Sequence, residues 1–550
     1  MTGESRKSTL LARVERIAHR LDAGLRGAVE WGERWSSLPA QQLLPTLFFL
    51  VLALVAFGYG VALFSLRVWF ESMGPYSDDT TLYWTVGRGI VNGLMPYRDL
   101  YETKPPGIFL LSALSFLLTK GYGLTHVTQI GSLLFVALSP IVFVRRLFRS
   151  GPLALLVAPE LISLWAIVLL LATFTADRGH AVQVETHGLA GAVGYVLLLG
   201  RRGRWAFFGR ALGVAVCIGM KEPFFLLLPA VYLLTLPKVD RVWPDLLGPL
   251  LVTAAAGTLI LICFGWFHAY TDIYLKTMLG AHVQLTGSPI GRATIGVNAT
   301  WDDLHAYSGL LPATVLFCMG LYLFLPDESN GSPATELIGK RLQVLVVGLL
   351  LAGLAVGMGG TFFPHHYIFA LPLVFAVLFV LMQRLPDVSS RQSWHRATFI
   401  GLTLATVCIP WVRPVAFRNR MAVITAQDVR ARESALVIDG VLDRLKVERY
   451  LFIGPGGGLA SPYTRHAPLG PLFFQQVMFF EGHYPKFVAQ FRQRLEEAPI
   501  VVFRDHFTGP LDDEVKKKLA ADFKALPAEY IPTGLHCQDK ILVRKTFALP

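Results

Sequence analysis

Long apolar runs alternate with short, positively charged breaks along most of this chain, a pattern that predicts a bundle of membrane-crossing helices. The first run is Leu43–Leu66. It is followed by Val127–Val144, Leu153–Ala176, Gly188–Gly200, Trp205–Met220, Phe224–Leu236 and Leu246–Phe267. Ser308–Leu325, Leu342–Met358, Tyr367–Met382 and Ala397–Val412 complete the series. Several runs fall short of the ~20 residues that an upright span needs. Gly107–Leu118, directly after a Pro-Pro pair, is too short to cross and reads as a helix lying in the outer leaflet. The spacing therefore predicts a polytopic α-helical membrane domain over residues 43–413, with about 11–13 helices and an odd number of crossings.

The flanks differ. Residues 1–42, rich in Arg and Glu, read as a cytoplasmic amphipathic segment and not as a cleavable signal. From Arg413 the hydropathy falls, and 414–550 reads as a small α/β domain. ALVIDGVLDRL predicts a helix, RYLFI and PIVVF predict strands, DDEVKKKLAADFKAL predicts a helix, and DKILVRK a final strand. The GPGGG run at 454–458 lacks the Lys and the spacing of a phosphate loop, and reads as a turn that closes a strand.

Composition agrees with a membrane protein. Of 550 residues, 53% are hydrophobic and only 16% charged, against about a quarter charged in soluble domains. The net charge of +12 is spread over short loops and does not point to nucleic acid. Basic clusters at Arg145/Arg146/Arg149, Arg201/Arg202/Arg204, Lys238/Arg241, Lys340/Arg341 and Arg384/Arg391/Arg396 mark one side as cytoplasmic. The N-terminus is then inside and the C-terminal domain outside, on the periplasmic or extracellular face of the inner membrane. Five cysteines without C-x-x-C spacing give no disulfide framework and no metal site.

The chemistry concentrates in the loops assigned to the outer face. Residues 67–106 form a first outer loop with adjacent acids Asp78 and Asp79, then Arg98, Asp99, Glu102 and Lys104 ahead of Pro105-Pro106-Gly107. Glu185 and His187 follow in a second loop, Lys221 and Glu222 at a tight apolar turn, and His365 and His366 before Tyr367. A second long outer loop is expected over 268–307; there Asp302 and Asp303 read as a solvated turn. Ionisable groups at a membrane are costly and tend to mark function. Acids held near recurring Lys and His suit a reaction in which a carboxylate takes a proton and cations neutralise a departing phosphate. Two readings of the acid pair stand open, because Asp78 and Asp79 are also good caps for the helix that follows. Lys104 likewise reads either as a site residue or as an interfacial lysine with its head in water.

The run Asp79…Tyr83…Gly93-Leu-Met-Pro-Tyr-Arg-Asp99…Lys104-Pro-Pro-Gly107 resembles the first outer loop of the GT-C membrane glycosyltransferases. The similar branch is that of the lipid A aminoarabinose transferases and protein O-mannosyltransferases. Met220-Lys-Glu-Pro223 resembles its K-x-P turn, and Phe362-Phe-Pro-His-His-Tyr367 its later FPHY stretch. Many relatives carry Asp-Glu where this chain has Asp79-Thr80, with the extra acid, Asp78, placed before instead, so the role of that glutamate, metal binding included, is not carried over.

The resemblance implies an inverting transfer of a sugar from a polyprenyl-phosphate donor to a hydroxyl of an envelope lipid, glycan or protein. It implies Asp79 as general base with Asp78 shaping it. Lys104, Arg98, Lys221, His366, His365 and Tyr83 become candidates for the donor and its phosphate. No cofactor is required, and a divalent metal is compatible with the scheme without being needed. The competing classes are a transporter or flippase of lipid-linked sugars, and a polysaccharide ligase using a lipid-diphosphate donor. A transporter leaves the thirty-residue polar insert unexplained, and the chain has no internal repeat.

Overall fold

The computed structural model describes residues 40–72, 78–102, 104–143, 159–174, 182–235, 239–279, 288–325, 334–358, 364–388, 393–408, 414–454, 460–470, 485–504, 512–535, 537 and 539–550. The amphipathic segment 1–39, the glycine turn at 455–458 and His282 lie outside them, as do the side chains of Asp78 and His365.

The apolar runs are helices. In chain order they are α1 (Ala40–Ser72), α2 (Asp78–Val91), α3 (Pro106–Thr119), α4 (Gly123–Leu138), α5 (Pro159–Phe174), α6 (Val184–Leu198) and α7 (Arg204–Met220). A 3-10 turn, Glu222–Leu227, leads into α8 (Leu228–Leu234), and a wide turn leads into α9 (Gly248–Cys263). Then come α10 (Pro289–Tyr307), α11 (Leu311–Leu323), α12 (Ala334–Gly357), α13 (Leu371–Val388) and α14 (Ser393–Cys408). Among the described residues four helices are long and apolar enough to span alone, or five if the α10–α11 pair, bent by 116°, is one broken span. Shorter apolar helices, α3, α4 and α5 among them, accompany these. The span His366–Arg384 is 94% buried and forms the centre of the bundle. The described residues of the stretch expected as a second long loop are largely helical. Ala269–Leu279 is a wide π-type helix, and Asp302 and Asp303 sit on α10, not in a turn.

Glycines set the closest helix contacts, as they do where no hydrophobic force separates helices from lipid. A Cβ on Gly296 of α10 would lie 2.8 Å from the Gly353 carbonyl carbon of α12. On Gly191 of α6 it would lie 2.6 Å from the Gly213 carbonyl oxygen of α7. At one end of the bundle, buried Asp245 accepts from Arg241 (2.7 Å), from the Gly200 N–H (3.1 Å) and pairs with Arg210 (3.2 Å). Arg210 also donates to the Leu198 carbonyl at 2.7 Å, closing the end of α6. The basic loops near Arg201 and Arg241 therefore share one face.

The C-terminal part begins with α15 (Pro414–Leu445) and carries a four-stranded sheet of order β1-β2-β4-β3. Strand β1 (Leu451–Ile453) pairs parallel with β2 (Ile500–Phe503), and the crossover between them contains α16 (Pro485–Glu497). Strand β4 (Lys540–Arg544) runs antiparallel to β2 and to β3 (Phe523–Ala525). The helix expected over DDEVKKKLAADFKAL stops at Asp522, where α17 (Asp512–Asp522) gives way to β3. This domain docks on the first polar loop. The Pro462 carbonyl accepts from Tyr122 (2.8 Å) and Arg88 (3.1 Å), and Trp84 stacks on Tyr122 at 4.3 Å with Tyr463 edge-on. Gly470 lies so close to the Asp99 carbonyl that a side chain there would collide with it. The loop and the domain are thus on one side, which requires an even number of crossings between Pro106 and Pro414.

Candidate active site

The site forms where the first loop meets the turn after α7. Gly107, in the first turn of α3, faces Gly219 near the end of α7; a Cβ on Gly107 would press into the Gly219 carbonyl, 2.8 Å from its carbon. Only glycine allows this approach, and it brings the loop ending at Lys104 beside the turn that begins at Lys221. Helix α7 ends as Lys221 takes an extended backbone (φ −160°, ψ 114°), and Pro223 opens the next turn. Asp79 and Tyr83 lie four residues apart on α2, hence on one face.

Around this junction the charges interlock. Lys104 pairs with Glu102 at 3.5 Å and lies over the Tyr83 ring, 5.8 Å from its centre. Lys221 pairs with Glu185, at the start of α6, at 3.1 Å. Both lysine side chains are 12% exposed and both glutamates 1%, so these pairs are screened little by solvent. The two lysines are perturbed in opposite directions. Burial works against the charge on Lys104, but Asp79, Glu102 and Glu185 outweigh it and hold its pKa above the usual lysine value. Burial, reinforced by the nearby charge of Lys104, holds Lys221 below that value, with Glu185 opposing. Burial also lifts the Tyr83 phenol well above its ordinary range, helped by Asp79, Glu185 and Glu102.

A bracket of aromatic rings holds the loop. Tyr97 sits in the left-handed region (φ 67°), a conformation costly for a side chain and kept only where the surroundings enforce it. Its hydroxyl donates to the Lys104 carbonyl at 2.8 Å, and its ring meets Phe109 (5.9 Å), Tyr270 (6.0 Å) and Tyr274 (4.9 Å). The Tyr274 hydroxyl donates to Glu222.

The structure thus gathers Asp79, Tyr83, Lys104 and Lys221. Arg98 is placed otherwise: its side chain is 57% exposed, and it binds neighbouring Asp99 through two hydrogen bonds of 2.9 and 2.7 Å. His366 is buried and joins the Lys221 turn through two rings. It stacks on Phe369 (5.7 Å), which meets Phe224 edge-on (5.0 Å) two residues past Glu222. Among the described residues no group of three His, Cys, Asp or Glu is arranged to hold a metal ion. The sequence had singled out Glu102, Glu185 and Glu222 as outer-loop acids without giving them a role, and had given none to Tyr97 or Tyr274. The buried acids at Glu185 and Glu222 were the available signal, since each opens an apolar helix.

Among solved structures the chain matches the crystal structure of ArnT from Cupriavidus metallidurans bound to undecaprenyl phosphate. The TM-score is 0.46 at 13% identity, over 90% of this chain and 98% of that one. No family model and no curated protein matches.

Proposed function

We propose that the chain is an inverting membrane glycosyltransferase that takes a sugar from a polyprenyl phosphate and delivers it to a hydroxyl of an envelope lipid, glycan or protein. The observation that carries this reading is the convergence of the KPPG loop and the K-E-P turn through Gly107 and Gly219. It sets two lysines within electrostatic reach of each other, and Lys104 within reach of Asp79, at the end of a membrane bundle. In this reading Asp79 takes the proton of the acceptor hydroxyl as its oxygen bonds to the anomeric carbon. The bond from that carbon to the phosphate oxygen breaks, and polyprenyl phosphate leaves with one more negative charge than the donor held there. Lys221, held short of its ordinary proton affinity by burial and by Lys104, gains most from an incoming anion. Lys104, surrounded by acids, keeps Asp79 aimed and adds its charge to the leaving phosphate.

The test is turnover in detergent by the purified chain. Release of free polyprenyl phosphate coupled to sugar transfer, with no sealed membrane present, is the expected result. Movement of intact sugar-lipid across sealed vesicles, without release, would make the chain a transporter instead.

A further inference from the structure

The charge cluster holds more acid than base. Asp79, Glu102, Glu185 and Glu222 act on two lysines, Lys104 and Lys221. A site that receives a phosphate must keep some of these carboxylates off its cations, because each competes with the incoming anion for the same N–H donors. Glu102 and Glu185 already pair with Lys104 (3.5 Å) and Lys221 (3.1 Å), and Glu222 is the carboxylate placed to add to them. It directly follows Lys221 in the chain; burial holds its pKa above the ordinary carboxyl value, while the Tyr274 hydroxyl and both lysines favour its charged form. Its carboxylate nevertheless accepts from the hydroxyl of Tyr274, a side chain that reaches it from the π-type helix Ala269–Leu279.

Tyr274 is well fixed for such a task. It is 3% exposed, its ring stacks on Tyr270 at 5.2 Å, and it meets Tyr97 at 4.9 Å. Tyr97 in turn holds the Lys104 carbonyl. One aromatic stack therefore touches both sides of the lysine pair, the backbone of Lys104 on one and the neighbour of Lys221 on the other.

We infer that Tyr274 is a positioning residue that keeps Glu222 turned away from Lys221 and Lys104, so that a lipid phosphate meets no carboxylate on the lysine pair beyond Glu102 and Glu185. This rests on the donor reading above. Tyr274 touches no reacting atom; it acts by occupying a carboxylate that would otherwise join Glu102 and Glu185 on the lysines. Without the hydroxyl, Glu222 rotates toward Lys221, and a phosphate must displace it.

The test is equilibrium binding of a polyprenyl phosphate, with the matching polyprenol as control, to the purified full chain in detergent. Tyr274→Phe is expected to weaken binding of the phosphate about tenfold, the scale of one hydrogen bond to a charged group. It should leave binding of the alcohol unchanged. Adding Glu222→Gln to Tyr274→Phe should bring phosphate affinity back to within about twofold of wild type, since the neutral amide no longer competes. A merely structural tyrosine shows no such rescue. Unchanged phosphate binding by Tyr274→Phe overturns the inference, and so does a double variant as weak as the single one. Should Tyr274→Phe fail to fold, Glu222→Gln alone decides. Phosphate binding at least as tight as wild type supports the inference, and weaker binding means that Glu222 builds the site and overturns it. Sugar transfer is not read in this assay. A chain that prefers phosphate over alcohol yet transfers no sugar refutes the glycosyltransferase reading alone, whereas a wild type that binds both lipids equally overturns the present inference.

Discussion

Gly107→Ala is the substitution that the geometry constrains most tightly. The added methyl carbon would sit 2.8 Å from the Gly219 carbonyl carbon and closer still to its oxygen, against contacts that become ordinary only beyond 3.4 Å. The obstacle is backbone, so no side chain can swing aside, and α3 must back away from α7 by a large fraction of an ångström. Overpacking of this kind costs about 1–3 kcal/mol. The larger effect falls on chemistry: α3 carries Lys104 with it, and a shift of about 1 Å in a positioned group can cost ~10²-fold in rate. The built-in control is Gly219→Ala, because a Cβ on that glycine meets nothing within 4 Å. Detergent-phase turnover and thermal unfolding should be read on both. Gly107→Ala is expected to lose ~10²-fold in turnover with a modest fall in Tm, while Gly219→Ala stays near wild type. Equal, mild effects from both substitutions would refute the reasoning that this contact registers the two lysine-bearing segments.

Four further expectations follow from the same geometry. Lys104→Met and Lys221→Met should each weaken donor binding and also slow transfer, because the phosphate gains charge in the transition state; a lysine that only anchors at the interface would change neither. Donor affinity should fall as pH rises toward the lowered pKa of Lys221, at a lower pH than an ordinary lysine would give, and Lys221→Met should remove that limb of a titration. Cysteines placed at exposed Arg98 and Lys517, in a background without the native five, should both react with an impermeant thiol reagent from the outside, and labelling from opposite sides would contradict the docking of the domain on the loop. Trp84→Ala removes the ring stacked at 4.3 Å on Tyr122 and should cost about 3–5 kcal/mol, read as easier proteolytic release of the C-terminal domain.

What the chain reveals unaided depends on whether the signal is local. The apolar runs emerge as helices because hydropathy over a window of residues is a local property, and the boundaries of α6 and α7 fall within four residues of those expected. Lys104 and Lys221 stand out because a charge beside an apolar run has few structural excuses. Arg98 stands out equally, yet its neighbour Asp99 satisfies it in the loop, which the charge pattern alone does not reveal. The roles of Glu185, Tyr97 and Tyr274 were hidden for the opposite reason. Each becomes significant only through a contact with a residue far away in sequence, and the aromatic ones look like ordinary core until the hydroxyl partner is known. The helices Ala269–Leu279 and Pro289–Tyr307 mislead because their many Thr, Asp and Gly lower the hydropathy. Helix α10 gains stability instead from close backbone packing against α12 at Gly296 and Gly353. Strand β3 is hidden for a related reason, since its pairing with β4 overrides the helical tendency of the residues before it.

The central claim, that Asp79 removes the acceptor proton in a glycosyl transfer, is tested most directly by single-turnover kinetics of Asp79→Asn beside donor binding on the same preparation. Asparagine keeps the shape of the side chain but cannot take the proton, and loss of a general base costs ~10²–10⁴ in rate. A fall of that size is expected with donor affinity within about threefold of wild type, since the proposed phosphate contacts are those of Lys104 and Lys221 and not of Asp79. Near-normal transfer by Asp79→Asn would contradict the claim.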